Sequence, residues 1–134
     1  MCYLAIISNL VHAVMNTSLQ KNLMTMIDLN RKCEPCNSNT PPLEKSDIAA
    51  HLAHVKGWQL DPKKKCIHKE YSFKNYYATM AFMNAVAWIA HRENHHPDCT
   101  VSYQSCQVTL KTHAIDGLSL NDFILANKIN NLEE

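Results

Sequence analysis

The stretch from Asn75 to Cys99, NYYATMAFMNAVAWIAHRENHHPDC, decides how the rest of the chain is read. Its first part, Asn75 to Arg92, is the longest periodic segment. Ala78, Phe82, Ala85, Val86 and Ile89 recur at helical spacing and predict one helix laid on a sheet. A second face carries Met80, Met83, Ala87 and Ala90. A helix apolar on two sides needs cover on both, and a chain of 134 residues has little left to supply it. The pattern therefore implies a homo-oligomer whose helices meet on that face. The helix gives way to a turn through Asn94-His95-His96-Pro97-Asp98.

Outward from this helix, each flank reads as a hairpin followed or preceded by a further helix. Upstream, Leu43 to Val55 carries Ile48, Leu52 and Val55 on one face, with Gly57 just past its end. Trp58 to Leu60 is strand-like, Asp61-Pro62-Lys63-Lys64 is a turn, and a second strand runs from Cys66 through Ile67, Lys69 and Tyr71 to Phe73. Downstream come strands Val101 to Cys106 and Val108 to His113, with few turn residues between them. Ala114 to Leu118 is a loop containing Gly117. Ser119 is a good N-cap and Asp122 completes a capping-box-like start for a last helix from Leu120 to about Leu132. The order α-β-β-α-β-β-α describes an α+β fold: a four-stranded antiparallel sheet with helices packed on one face.

Composition narrows the function classes. The chain is 46% apolar and 19% charged, too apolar for a disordered segment and sized for one domain with a tail. Thirteen basic and twelve acidic residues leave a formal charge of +1, which offers no electrostatic footprint for nucleic acid. Lys63-Lys64-Lys65 decorates a turn. No stretch reaches the ~18–20 apolar residues of a spanning helix, and the apolar start Met1 to Ile7 lacks a basic leader. Residues 1–32 read as an N-terminal extension, poorly ordered or preceding the true start, since the chain from Met26 onward looks like an ordinary cytosolic beginning. Residues 33–134 form the domain. Six cysteines fit a reduced, cytoplasmic protein better than a disulfide scaffold. Cys33-Glu34-Pro35-Cys36 is half of a zinc site at most and is followed by polar loop, so it reads as a surface loop.

The chemistry points to histidine. Of eight histidines, four fall between positions 91 and 113. His95 and His96 follow the long helix and His113 closes the last expected strand, two positions that lie near each other at one rim of such a fold. Pro97 holds His96 in extended backbone. Imidazoles exchange protons near neutral pH, so the trio suits a reaction that removes one proton and delivers another. A metal site is the competing reading: His91 and His95 are four apart on a helix, with His113 as a third ligand. A histidine-rich surface loop is the plain one.

Glu93-Asn94-His95-His96-Pro97, Tyr103, Val108 to His113, and Gly117-Leu118-Ser119 with Asp122 and Phe123 together resemble the pterin-4a-carbinolamine dehydratases. Tyr71 to Tyr76 and the helix with Phe82 and Val86 are similar too, and the leader from Cys33 to Pro42 looks like the bacterial branch. The resemblance spans about residues 33 to 128. It implies a cytoplasmic dimer or tetramer with no metal or bound cofactor. It further implies a dehydratase that removes water from 4a-hydroxy-tetrahydropterin, serving pterin recycling for an aromatic amino acid hydroxylase such as phenylalanine hydroxylase. By the same resemblance His95, His96 and His113 are catalytic. His96 and His113 are then the main proton-transfer groups, His95 orients the hydroxyl, and Asp122 and Pro97 stand on the substrate side. His91 replaces a glutamate, and Cys99 a tryptophan, of many relatives. An interaction module akin to a dimerization cofactor, or a histidine metal binder, are the alternatives.

Overall fold

Alternation along the strands fixes the centre of the molecule. The computed structural model describes residues 28–132. Residues 1–27, most of the expected extension, lie outside the described residues. Strands β1 (Gln59–Asp61), β2 (Cys66–Ser72), β3 (Asp98–Val101) and β4 (Ser105–Leu110) form one antiparallel sheet in the order β1-β2-β4-β3. In β4, Cys106, Val108 and Leu110 are buried, while Gln107 between them is exposed. Register pairs Ile67 with Leu110 and Tyr71 with Cys106, so the two central strands build one apolar face.

Helices α1 (Lys45–Leu52), α2 (Tyr76–Glu93) and α3 (Leu120–Asn130) complete the expected order, and the α+β architecture is as read from the sequence. Phe82 and Val86 of α2 and Phe123, Ile124, Ala126 and Ile129 of α3 join the sheet in a single core. Helix α3 is buried almost throughout and α1 has no fully buried residue. Val55 is buried, but it lies beyond the end of α1, in the turn that leads to Gly57 at φ +83°.

Two expectations need correction. The last hairpin turns at Ser102–Gln104, not between Cys106 and Val108. Serine hydroxyls build that turn: Ser102 and Ser105 bond at 2.7 Å through their Oγ atoms, and the Ser102 N–H donates to the Ser105 carbonyl. Strand β4 stops at Leu110, so His113 opens a 3₁₀ turn (His113–Ile115), cinched by the Thr112–Gly117 bridge. On the second apolar face of α2, Ala90 is buried, Met80 and Met83 are half-buried and Ala87 is exposed in the single chain. Ahead of the boundary expected at 32/33, Leu29 is buried in the core and the Asn127 amide donates to Asn30.

Candidate functional site

The turn after α2 separates its two histidines. Asn94 adopts the left-handed conformation (φ 52°) that ends helices, and the N–H groups of Asn94 and His95 satisfy the last carbonyls, of His91 and Ala90. The chain then runs extended into Pro97, so adjacent side chains point opposite ways. His95 turns inward and is 8% exposed, whereas His96 faces solvent.

Inside, His95 meets the first turn of α3. Its Nε2 lies 2.7 Å from Oδ1 of Asp122, a carboxylate with no exposed surface. The other oxygen, Oδ2, accepts from the Thr112 hydroxyl at 2.8 Å and from the Ser119 N–H at 2.9 Å. An ionised carboxylate only accepts, which assigns the rest of the network by elimination. His95 therefore donates through Nε2–H. Thr112 spends its proton on Asp122, so Ser119 donates to Thr112 across 2.7 Å. Capping and orienting are thus one device: the residue that starts α3 also fixes an imidazole.

A cavity of about 240 Å³ opens beside this network. Asn94, His95 and His96 line one side, Thr112, His113 and Ala114 a second, and Glu34, Pro35, Cys36 and Asn121 a third. All three expected histidines are among the residues that line this space. His113 is largely exposed, and its Nε2 lies 3.4 Å from Oδ2 of Asp98, an equally open carboxylate at the start of β3. Of the two residues expected on the substrate side, Pro97 does not line the cavity. Asp122 does not line it either: it is sealed behind His95. A larger cleft, about 680 Å³, lies between α1, β1 and the loop before α3. Its walls are mainly aliphatic (Leu43, Ile48, Leu52, Leu60), with Lys45, Lys65 and Asp116 among them, and no histidine lines it.

The leader has more to do than a surface loop. Its residues form the third wall, and the sequence held a signal for this in Asn121, a polar residue in the first turn of a helix otherwise built for burial. The Cys33 thiol is pushed up to about 12 by burial first and by Glu93 second, so it carries little reactive thiolate. His91 does not line the cavity. Among the described residues no three His, Cys, Asp or Glu side chains group as a metal site requires.

Known proteins share this sequence and this fold. A family model described as pterin 4 alpha carbinolamine dehydratase matches residues 41–132. A curated relative from Nitrosospira multiformis is 55% identical over 109 residues, covering 81% of this chain and 95% of its own length. Its name gives pterin-4-alpha-carbinolamine dehydratase as a provisional assignment. A similarly named protein of Nitrosomonas europaea is 53% identical over 77% of this chain and 90% of its own length. Among solved structures, a transcriptional coactivator/pterin dehydratase from Brucella melitensis superposes with a TM-score of 0.67 at 29% identity, over 70% of this chain and all of that one. A pterin dehydratase-like RuBisCO assembly factor of the alpha-carboxysome shares the fold alone, with a TM-score of 0.51 and 22% identity, over 59% of this chain and 92% of that one.

Proposed function

The chain belongs to the pterin-4a-carbinolamine dehydratase family, and on that premise we propose that it removes water from 4a-hydroxy-tetrahydropterin by histidine acid–base catalysis. The C4a–O bond breaks and the hydroxyl leaves as water after gaining a proton. N5 gives up its proton, and a C4a=N5 double bond forms, yielding the quinonoid dihydropterin. His96 and His113 are the main proton carriers, which their open position supports, because an exposed imidazole recharges from solvent. His95, fixed by Asp122, orients the departing hydroxyl.

The observation that carries this reading is that His95, His96 and His113 line one small cavity in a chain of this family. The product needs a reductase to return it to use, so the protein would serve an aromatic amino acid hydroxylase such as phenylalanine hydroxylase. The five cysteines among the described residues are all free thiols, which supports a reducing, cytoplasmic setting. No described helix is long and apolar enough to cross a membrane.

Stopped-flow observation of the 4a-carbinolamine tests the proposal. Purified protein should accelerate its dehydration equally with and without a chelator. No acceleration would remove the enzyme reading, and loss on chelation would favour a metal centre.

A second role as an interaction module draws support from the exposed rings of Tyr77 and Trp88 on α2, 83% and 62% accessible, and from the coactivator description of the Brucella relative. Homodimers or homotetramers meeting on that helix would cover both rings. Light scattering that finds a monomer at micromolar concentration would contradict such an assembly.

A further inference from the structure

Two of the three cavity walls belong to regular structure: the end of α2, and the 3₁₀ turn at His113. The third, Glu34–Cys36, lies in neither helix nor strand, and Glu34 and Pro35 are exposed. Something has to hold it. One side chain does most of this: the Asn121 amide accepts the Glu34 N–H at 3.0 Å and donates to the Glu34 carbonyl at 2.6 Å, as a neighbouring β-strand would. The same Nδ2 lies 3.2 Å from the Cys36 sulfur. One residue earlier, the Cys33 N–H donates to Oε2 of Glu93 at 2.9 Å, and Glu93 in turn pairs with Lys128 at 2.6 Å. Asn121 is itself buried.

Asn121 and Asp122 are consecutive residues in the first turn of α3. Asp122 reaches one way and fixes the His95 ring, while Asn121 reaches the other and fixes the leader. Adjacent side chains on one helix turn diverge by about 100°, so a single rigid element sets the spacing between the imidazole and the wall opposite it. Asn121 does not donate or accept a proton in the elimination. Its bonds go to backbone and to a thiol, not to the histidines.

We propose that Asn121 is a positioning residue that clamps Glu34–Cys36 as the wall giving the pocket its grip on the pterin, while the histidines carry the chemistry. This rests on the dehydratase reading. The leader is therefore part of the active site, and its loss weakens substrate binding before it slows the bond-breaking step.

The test uses the full chain with two substitutions and two readouts. Asn121→Ala should raise KM for the carbinolamine at least about fivefold and change kcat less than about twofold. It should also speed alkylation of Cys36 by iodoacetamide, followed peptide by peptide in a mass spectrometer. Glu34→Pro removes the N–H from the leader side, at an exposed position away from the core, and should reproduce the rise in KM even if Asn121→Ala fails to fold. Unchanged KM in Glu34→Pro, or unchanged Cys36 alkylation in a folded Asn121→Ala, overturns the proposal. A fall in kcat at constant KM overturns it too, since that marks damage to the histidines. Should the unsubstituted protein not dehydrate the carbinolamine, the dehydratase reading is lost, and the Cys36 rates alone decide whether Asn121 holds the wall.

Discussion

His95 and His113 face the same cavity and are built in opposite ways. His95 is buried and held at 2.7 Å by a carboxylate that is itself tied to Thr112 and Ser119. His113 stands largely in solvent at the head of a short turn, its Nε2 3.4 Å from the exposed Asp98. A buried polar network holds a ring in one orientation but costs dearly if any member is lost. An exposed ring is less fixed yet trades protons freely with water. The elimination proposed above calls for both, a fixed group at the hydroxyl and a mobile source and sink of protons, and on that proposal the two sides of the pocket divide that labour.

The comparison can be broken at several points, the most damaging first. His96→Ala and His113→Ala should each lower kcat by about 10²–10⁴, the worth of a general acid or base, with thermal midpoints nearly unchanged because both rings are exposed. Steady-state kinetics beside a calorimetric scan checks both halves of that statement. Asp122→Ala should do the reverse in kind. It strands three buried donors (His95 Nε2, the Thr112 hydroxyl and the Ser119 N–H) at about 1–3 kcal/mol each. The midpoint of urea unfolding should therefore fall sharply along with activity.

Acid should attack the anchored side as well. Burial alone would raise the Glu93 carboxyl. Bonds from Lys128 and the Cys33 N–H, with the charge of Lys128, carry it below its ordinary value instead. A carboxylate depressed in the folded state stabilises the fold above its unfolded pKa of about 4.3, and that contribution fades as pH falls through the folded value. Urea titrations at pH 7 and pH 3 should show Glu93→Gln losing less stability between the two than the unsubstituted protein. The smallest effect belongs to the open side. Asp98→Asn removes an exposed pair worth about 0.2–1 kcal/mol, so kcat should change by at most about fivefold.

Much of the fold was legible because it rests on periodicity. The helix from Asn75 and the strand from Cys66 announce themselves by spacing, and the resemblance in Glu93 to Pro97 singles out the histidine turn. What escaped has physical causes. Ser102-Tyr103-Gln104 contains no glycine, proline or asparagine, so a turn made by serine hydroxyls left no mark, and the last hairpin was read several residues late. Thr79 interrupts the apolar face of α2, yet it is fully buried, because its hydroxyl serves the carbonyls of Asn75 and Tyr103. The leader resembled a surface loop because its attachments to Asn121 and Glu93 span 87 and 60 residues, and no local pattern encodes contacts that distant. Asp122 was legible as a helix cap, but its second task, holding His95, appears only once the chain has folded.

A double-substitution cycle on His95 and Asp122, read as the single-turnover rate of carbinolamine dehydration, goes to the centre of this account. If the carboxylate works through the imidazole, adding Asp122→Asn to His95→Ala should slow the reaction no further than His95→Ala alone. Losses that multiply would mean that Asp122 acts on the reaction by some route other than His95, and the division between a fixed and an open side of the pocket would fall.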